Sequence, residues 1–220
     1  MYICVLTVKN FSKIMSKHIK KIKRDIFLIK DRKLPLLEYE KETDSDIFYY
    51  PECNYIYWIK LEKDNPQKLI TEFIKLLDLF EFKKFIFLGS INKPWISKIT
   101  KKRKDYKPLI KTLKYFSYIK VNNKFNGGIE IDKDYIKDFL ENFYTITRCD
   151  GSFFDYYFSD INQNILFYLH YSGEFKILPL TDDVNDKFLE IIKKTNFVDA
   201  LRNRAIQTES KKNYHPILTS

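Results

Sequence analysis

Phe11, Ile14, Met15, Ile19, Ile22, Ile26 and Phe27 follow one another at spacings of three, four and one. That period predicts an amphipathic helix with a lysine-rich outer face, after a short strand at residues 2–8. The acidic stretch from Glu38 to Asp46 reads as a loop, and NYIYWIKLE (54–62) has the β-branched and aromatic content of a strand. Asn65 and Pro66 suit an N-cap and a first helical position. Leu69, Phe73, Ile74, Leu76, Leu77 and Phe80 then form one apolar stripe, and the helix ends near Glu81. KKFIFLGS (83–90) is a short apolar strand, so residues 54–90 predict a β-α-β unit with parallel strands.

Residues 91–115 interrupt the pattern with two prolines and many bases, which predicts an exposed connector with a helical second half. Strands are expected near FSYIKV (116–121) and GGIEI (127–131). A helix follows from about Asp134, with Tyr135, Ile136, Phe139, Leu140 and Phe143 on one face. FFDYYFSD (153–160), ILFYLHY (165–171) and EFKILPL (174–180) are aromatic strands separated by turn residues, as in an antiparallel meander. Thr181, Asp182 and Asp183 open a last helix that turns Val184, Phe188, Leu189, Ile191 and Ile192 inward. This order predicts an α+β fold of mixed sheet covered by helices, an order that two ferredoxin-like halves would also give. The expected divisions are residues 1–92 (basic helix plus β-α-β), 93–114 (basic connector), 115–207 (β-α-β-β-β-α) and 208–220 (polar tail), or one domain holding them all.

Composition changes this picture in two ways. With 220 residues, 45% apolar and 31% charged, the chain can bury a sizeable core, which excludes wholesale disorder. The charge is also clustered: residues 9–33 carry ten Lys/Arg against two acids and residues 93–120 ten against one, together +17. The net charge is +10, so the remainder sums to −7, and residues 149–175 contain no Lys or Arg at all. An even compositional excess of lysine would not leave such a gap. Cys4, Cys53 and Cys149 are odd in number and widely spaced, which argues for reduced thiols. MYICVLTV is too short for a signal-peptide apolar region, and no run approaches the ~18 apolar residues of a membrane span. A soluble, cytoplasmic protein with no membrane partner is expected.

Three groups of residues carry candidate chemistry. Lys101, Lys102, Arg103, Lys104 and Lys107, with Lys20, Lys21 and Arg24, could meet a phosphate backbone of DNA or RNA while Tyr106 or Trp95 stacks on a base; a solvated lysine-rich surface is the plain alternative. In the meander, Tyr156, Tyr157, Tyr168 and Tyr171, rimmed by Asp155, Asp160 and Glu174, would suit docking of a cationic protein, as in an immunity protein or a phage-encoded inhibitor. The plain alternative there is a sheet buried on both faces. Glu130, Asp132 and Asp134 alternate at a strand end, a weak pattern for a metal that helix capping already explains. His170 is the one histidine placed to act as a base, but no nucleophile motif surrounds it, and no GxxxxGK or GxGxxG occurs. No catalytic residue, metal or cofactor is implied. The sequence favours a binding protein, with the cationic protein as first expected partner and nucleic acid as the alternative.

Overall fold

In the computed structural model, residues 17–23, 36–40, 45–49, 55–89, 94–151, 153 and 157–201 are described. Their elements, in chain order, are β1 (Ile19–Ile22), β2 (Leu36–Glu40), β3 (Ser45–Tyr49), β4 (Tyr57–Leu61), α1 (Pro66–Phe80), β5 (Lys84–Leu88), α2 (Lys98–Lys102), α3 (Lys107–Tyr118), β6 (Gly128–Asp132), α4 (Ile136–Cys149), β7 (Tyr157–Asp160), β8 (Ile165–Leu169), β9 (Phe175–Pro179), α5 (Asp182–Ile192) and β10 (Phe197–Asp199). A single 3₁₀ turn, Lys133–Tyr135, leads into α4.

Eight strands form one sheet in the order β1-β6-β5-β7-β8-β9-β4-β10, while β2 and β3 pair separately. With five helices packed on a largely antiparallel sheet, the fold is α+β, as the sequence predicts. The β-α-β unit over residues 54–90 takes another form than the parallel pair expected. β4 and β5 run in the same direction, but β9, β8 and β7 lie between them, and each neighbouring pair is antiparallel. Short turns hold the meander together, so it inserts as a block whose outer strands bond to β4 and β5.

Alternation sorts side chains to two faces. On the helix-covered face, Phe85, Phe87, Ile129, Ile131, Phe158, Phe167, Phe175 and Ile177 join α1 and α4 residues in the main core. On the other face, Ile86, Leu88, Leu166 and Leu178 form a smaller buried cluster with Ile22, Ile56 and Leu180 packed against it. Phe73 of α1 anchors the main core, stacked on Phe175 at 3.8 Å and edge-on to Phe167 at 5.3 Å. Asn65 caps α1 by accepting from the Lys68 backbone N–H at 3.0 Å, and Glu81 ends it in the left-handed region at φ 64. Thr181 caps α5 in the same way, accepting from the Val184 N–H.

Four local expectations are corrected. Ile19–Ile22, read as helix, is an edge strand paired with β6, Ile19 opposite Ile131 and Ile22 opposite Gly128. An i, i+3 pair has helical spacing, but a strand accommodates it because both faces of the sheet are covered: Ile19 enters the main core, Ile22 packs on the smaller cluster, and the open edge of β6 takes the segment as a strand. Glu38–Glu40 and Ser45–Asp46, read as loop, belong to β2 and β3. Phe116 to Tyr118, read as strand, is the last turn of α3. The connector is not simply exposed, since Trp95, Ile96, Thr100 and Leu109 are buried. β10 had no sequence expectation. The strand expected at residues 2–8, the tail, Cys4, Cys53, His215 and the rest of the N-terminal basic stretch lie outside the described residues. Among the described residues no helix is long and apolar enough to cross a membrane.

Candidate functional site

α3 turns Leu109, Thr112, Tyr115 and Phe116 inward and packs along α4, where Thr112 donates to Asn142 Oδ1 at 2.9 Å. Positions 107, 111, 114 and 118 therefore share the opposite side, because residues three and four apart stack on one helix face. Lys107, Lys111, Lys114 and Tyr118 are all exposed there, and Tyr106 precedes them at the N-cap. In α2, capped by Ser97, Thr100 is buried while Lys98, Ile99, Lys101 and Lys102 face outward.

A loop at residues 119–127 leads from α3 to β6 and lies against β1. Trp95 fixes the loop, its backbone N–H donating to Phe125 O at 2.9 Å and its indole N–H to Gly127 O at 2.8 Å. The same burial removes Trp95 as a stacking ring for a base. Lys101 donates to Asn123 Oδ1 at 3.1 Å from one side, and Lys21 of β1 lies 5.6 Å over the Phe125 ring from the other. The two basic stretches therefore meet at one loop. Gly127 and Gly128 allow it: a Cβ on Gly127 would lie 2.5 Å from Ile22 O, and one on Gly128 2.7 Å from Leu88 Cδ2. The glycine pair is the one sequence signal for this close approach.

Counter-charges are scarce within this segment of the chain. From residue 94 to residue 124 the one acid is Asp105, which Arg103 grips through Nε at 3.1 Å and Nη2 at 2.9 Å. Arg103 also donates to Cys149 O at 2.8 Å, so it is a structural tie and not a free cation. Burial raises the Cys149 thiol above its ordinary pKa, against the pull of Arg103 and Arg148. Lys98, Lys101, Lys102, Lys104, Lys107, Lys111, Lys114, Lys120 and Lys124 make no ion pair with a described acid. Arg24 lies outside the described residues.

The alternating carboxylates of β6 are occupied by cations of the chain. Glu130 accepts from Lys84 at 3.0 Å and lies 3.7 Å from Lys20. Asp132 pairs with His18 Nδ1 at 2.8 Å, and His18 stacks on Tyr135. Burial works against ionisation of Asp132, but the His18 bond and Lys84 outweigh it and hold the carboxyl below its usual range. Among the described residues no three Asp, Glu, His or Cys side chains gather as a metal site. Asp134 is exposed.

The meander residues are placed differently. Tyr157, Asp160 and Glu174 are buried, Tyr168 is half-buried edge-on to Trp58 at 6.3 Å, and Tyr171 is exposed; Asp155 and Tyr156 lie outside the described residues. Asp160 binds its own turn, accepting from the backbone N–H groups of Asn162 (3.1 Å), Asn164 (2.7 Å) and Ile165 (3.3 Å) and from Asn164 Nδ2 (2.8 Å). Burial raises its carboxyl pKa, and those donors oppose the rise. His170 Nδ1 sits 2.6 Å from Ser172 Oγ inside the β8–β9 turn, a local contact two residues apart.

A groove of about 840 Å³ runs between β4, β10 and the ends of α1 and α5, where Lys63, Lys68 and Lys193 face Glu62 and Glu72. Its charges are mixed. Glu72 is committed to Asn196, accepting from the backbone N–H at 2.8 Å and from Nδ2 at 3.0 Å. Comparison of the chain with protein-family models, with curated proteins and with solved structures gives no match.

Proposed function

We propose that this chain binds nucleic acid through the surface made by α2, α3 and the loop at residues 119–127. One observation carries the reading: nine lysines between residues 94 and 124 have no ion-pair partner among the described residues, in a stretch whose single acid is already bound by Arg103. Clustered cations without counter-ions are stabilised by a polyanion that releases its own condensed ions on contact. Asn123 and Phe125 add Lys101 and Lys21 to the same surface, so both basic stretches contribute. The other reading, an inhibitor docking a cationic protein on the meander, is left with less support. Two of its three carboxylates, Asp160 and Glu174, are buried.

The test is a triple charge reversal, Lys107→Glu, Lys111→Glu and Lys114→Glu, assayed by fluorescence anisotropy on a labelled oligonucleotide. We expect at least a tenfold loss of affinity with an unchanged fold by circular dichroism, on the order of 1.4 kcal/mol or more of binding. Equal affinity in the variant would overturn the assignment to this surface.

A further inference from the structure

Resting on that reading, we infer that the surface takes single-stranded nucleic acid in preference to duplex. Rings bracket the cations. Tyr106, at the N-cap, and Tyr118, in the last turn, are 47% and 37% exposed, and Lys107, Lys111 and Lys114 lie between them along α3, on the side that Tyr118 shares. Twelve residues of helix separate the two rings, roughly 18 Å along the axis. The three lysines in between stand roughly 5–6 Å apart, one to each turn. Ile99, 79% exposed on α2, adds further uncovered apolar surface among the lysines.

A duplex would use only the lysines of this strip, because its base faces are stacked out of reach. A single strand offers both a phosphate line for the lysines and open base faces for the rings, and stacking of that kind tolerates any base.

The experiment compares the full chain on three labelled probes matched in phosphate number: a single-stranded DNA, a single-stranded RNA and a duplex DNA, each at several salt concentrations. Tyr106→Ala/Tyr118→Ala and Tyr106→Phe/Tyr118→Phe are measured alongside. We expect both single strands to bind at least about tenfold more tightly than duplex, which is the size that loss of one or two stacked bases produces. The double Ala variant should lose that preference and keep its salt dependence, and the double Phe variant should retain both. Equal affinity for single strand and duplex, or an unchanged ratio in the double Ala variant, would overturn the inference while leaving nucleic-acid binding in place. No binding to any probe would overturn both.

Discussion

The basic strip on α3 and the aromatic meander both stand out in composition, yet burial gives them opposite roles. In the meander, Tyr157, Asp160 and Glu174 are turned inside, and Asp160 spends its carboxylate on its own turn. On α3 the lysines stand outward in a row and make no ion pair with a described acid. Aromatic density therefore marks the core of this molecule, and unbalanced charge marks the surface proposed to bind. A buried carboxylate with four donors is a structural part, whereas an unpaired exposed lysine contributes little to folding and is available to a partner.

That contrast can be broken most forcefully in the core. Phe73→Ala removes a ring stacked on Phe175 and edge-on to Phe158 and Phe167, and should cost about 3–5 kcal/mol in a denaturant titration. A cost below about 1 kcal/mol would mean that the aromatic cluster is not the centre of stability. Asp160→Ala strands the N–H groups of Asn162, Asn164 and Ile165, with an expected loss of about 1–3 kcal/mol; Asp160→Asn, which keeps an acceptor, should lose less. The same substitution on an exposed acidic docking surface would change stability hardly at all, so this pair of variants separates the two views of the meander directly.

Smaller effects sharpen the comparison. Burial raises the Glu72 carboxyl, but the backbone and side-chain donors of Asn196, with Lys75, more than reverse this and hold it below its ordinary value. Its contribution to stability is therefore complete above the ordinary glutamate pKa and is lost as pH falls through the lowered one. Glu72→Gln should remove that acid-range component and about 1 kcal/mol at neutral pH, seen by comparing urea midpoints across pH. Tyr115→Phe should be neutral, or stabilising by up to about 1 kcal/mol, since its buried hydroxyl has no partner among the described residues. A loss of more than 1 kcal/mol would show that the hydroxyl is satisfied.

Local signals reported elements whose sequence and surroundings agree. Asn65, Pro66 and the stripe to Phe80 gave α1, and turn residues between aromatic runs gave β7, β8 and β9. They failed where a distant partner decides. Ile19–Ile22 becomes a strand because β6 presents an open edge, a fact held more than a hundred residues away. Phe116 to Tyr118 has strand-like composition but completes a helix already paired with α4, and β10 is three residues whose pairing with β4 no local pattern announces. At the candidate surface the lysines were legible one by one. Their convergence was not, because it depends on Trp95 fixing the loop and on Gly127 admitting the backbone of β1.

The most direct measurement is the affinity of the full chain for a labelled oligonucleotide as a function of salt, in parallel with the Lys107→Glu/Lys111→Glu/Lys114→Glu variant. We predict that log K falls linearly with log salt, with a slope of about −0.7 per neutralised phosphate for a single strand, and that the variant shows both weaker binding and a shallower slope. A flat salt dependence, or no binding even at low salt, would contradict the assignment of this surface to nucleic acid.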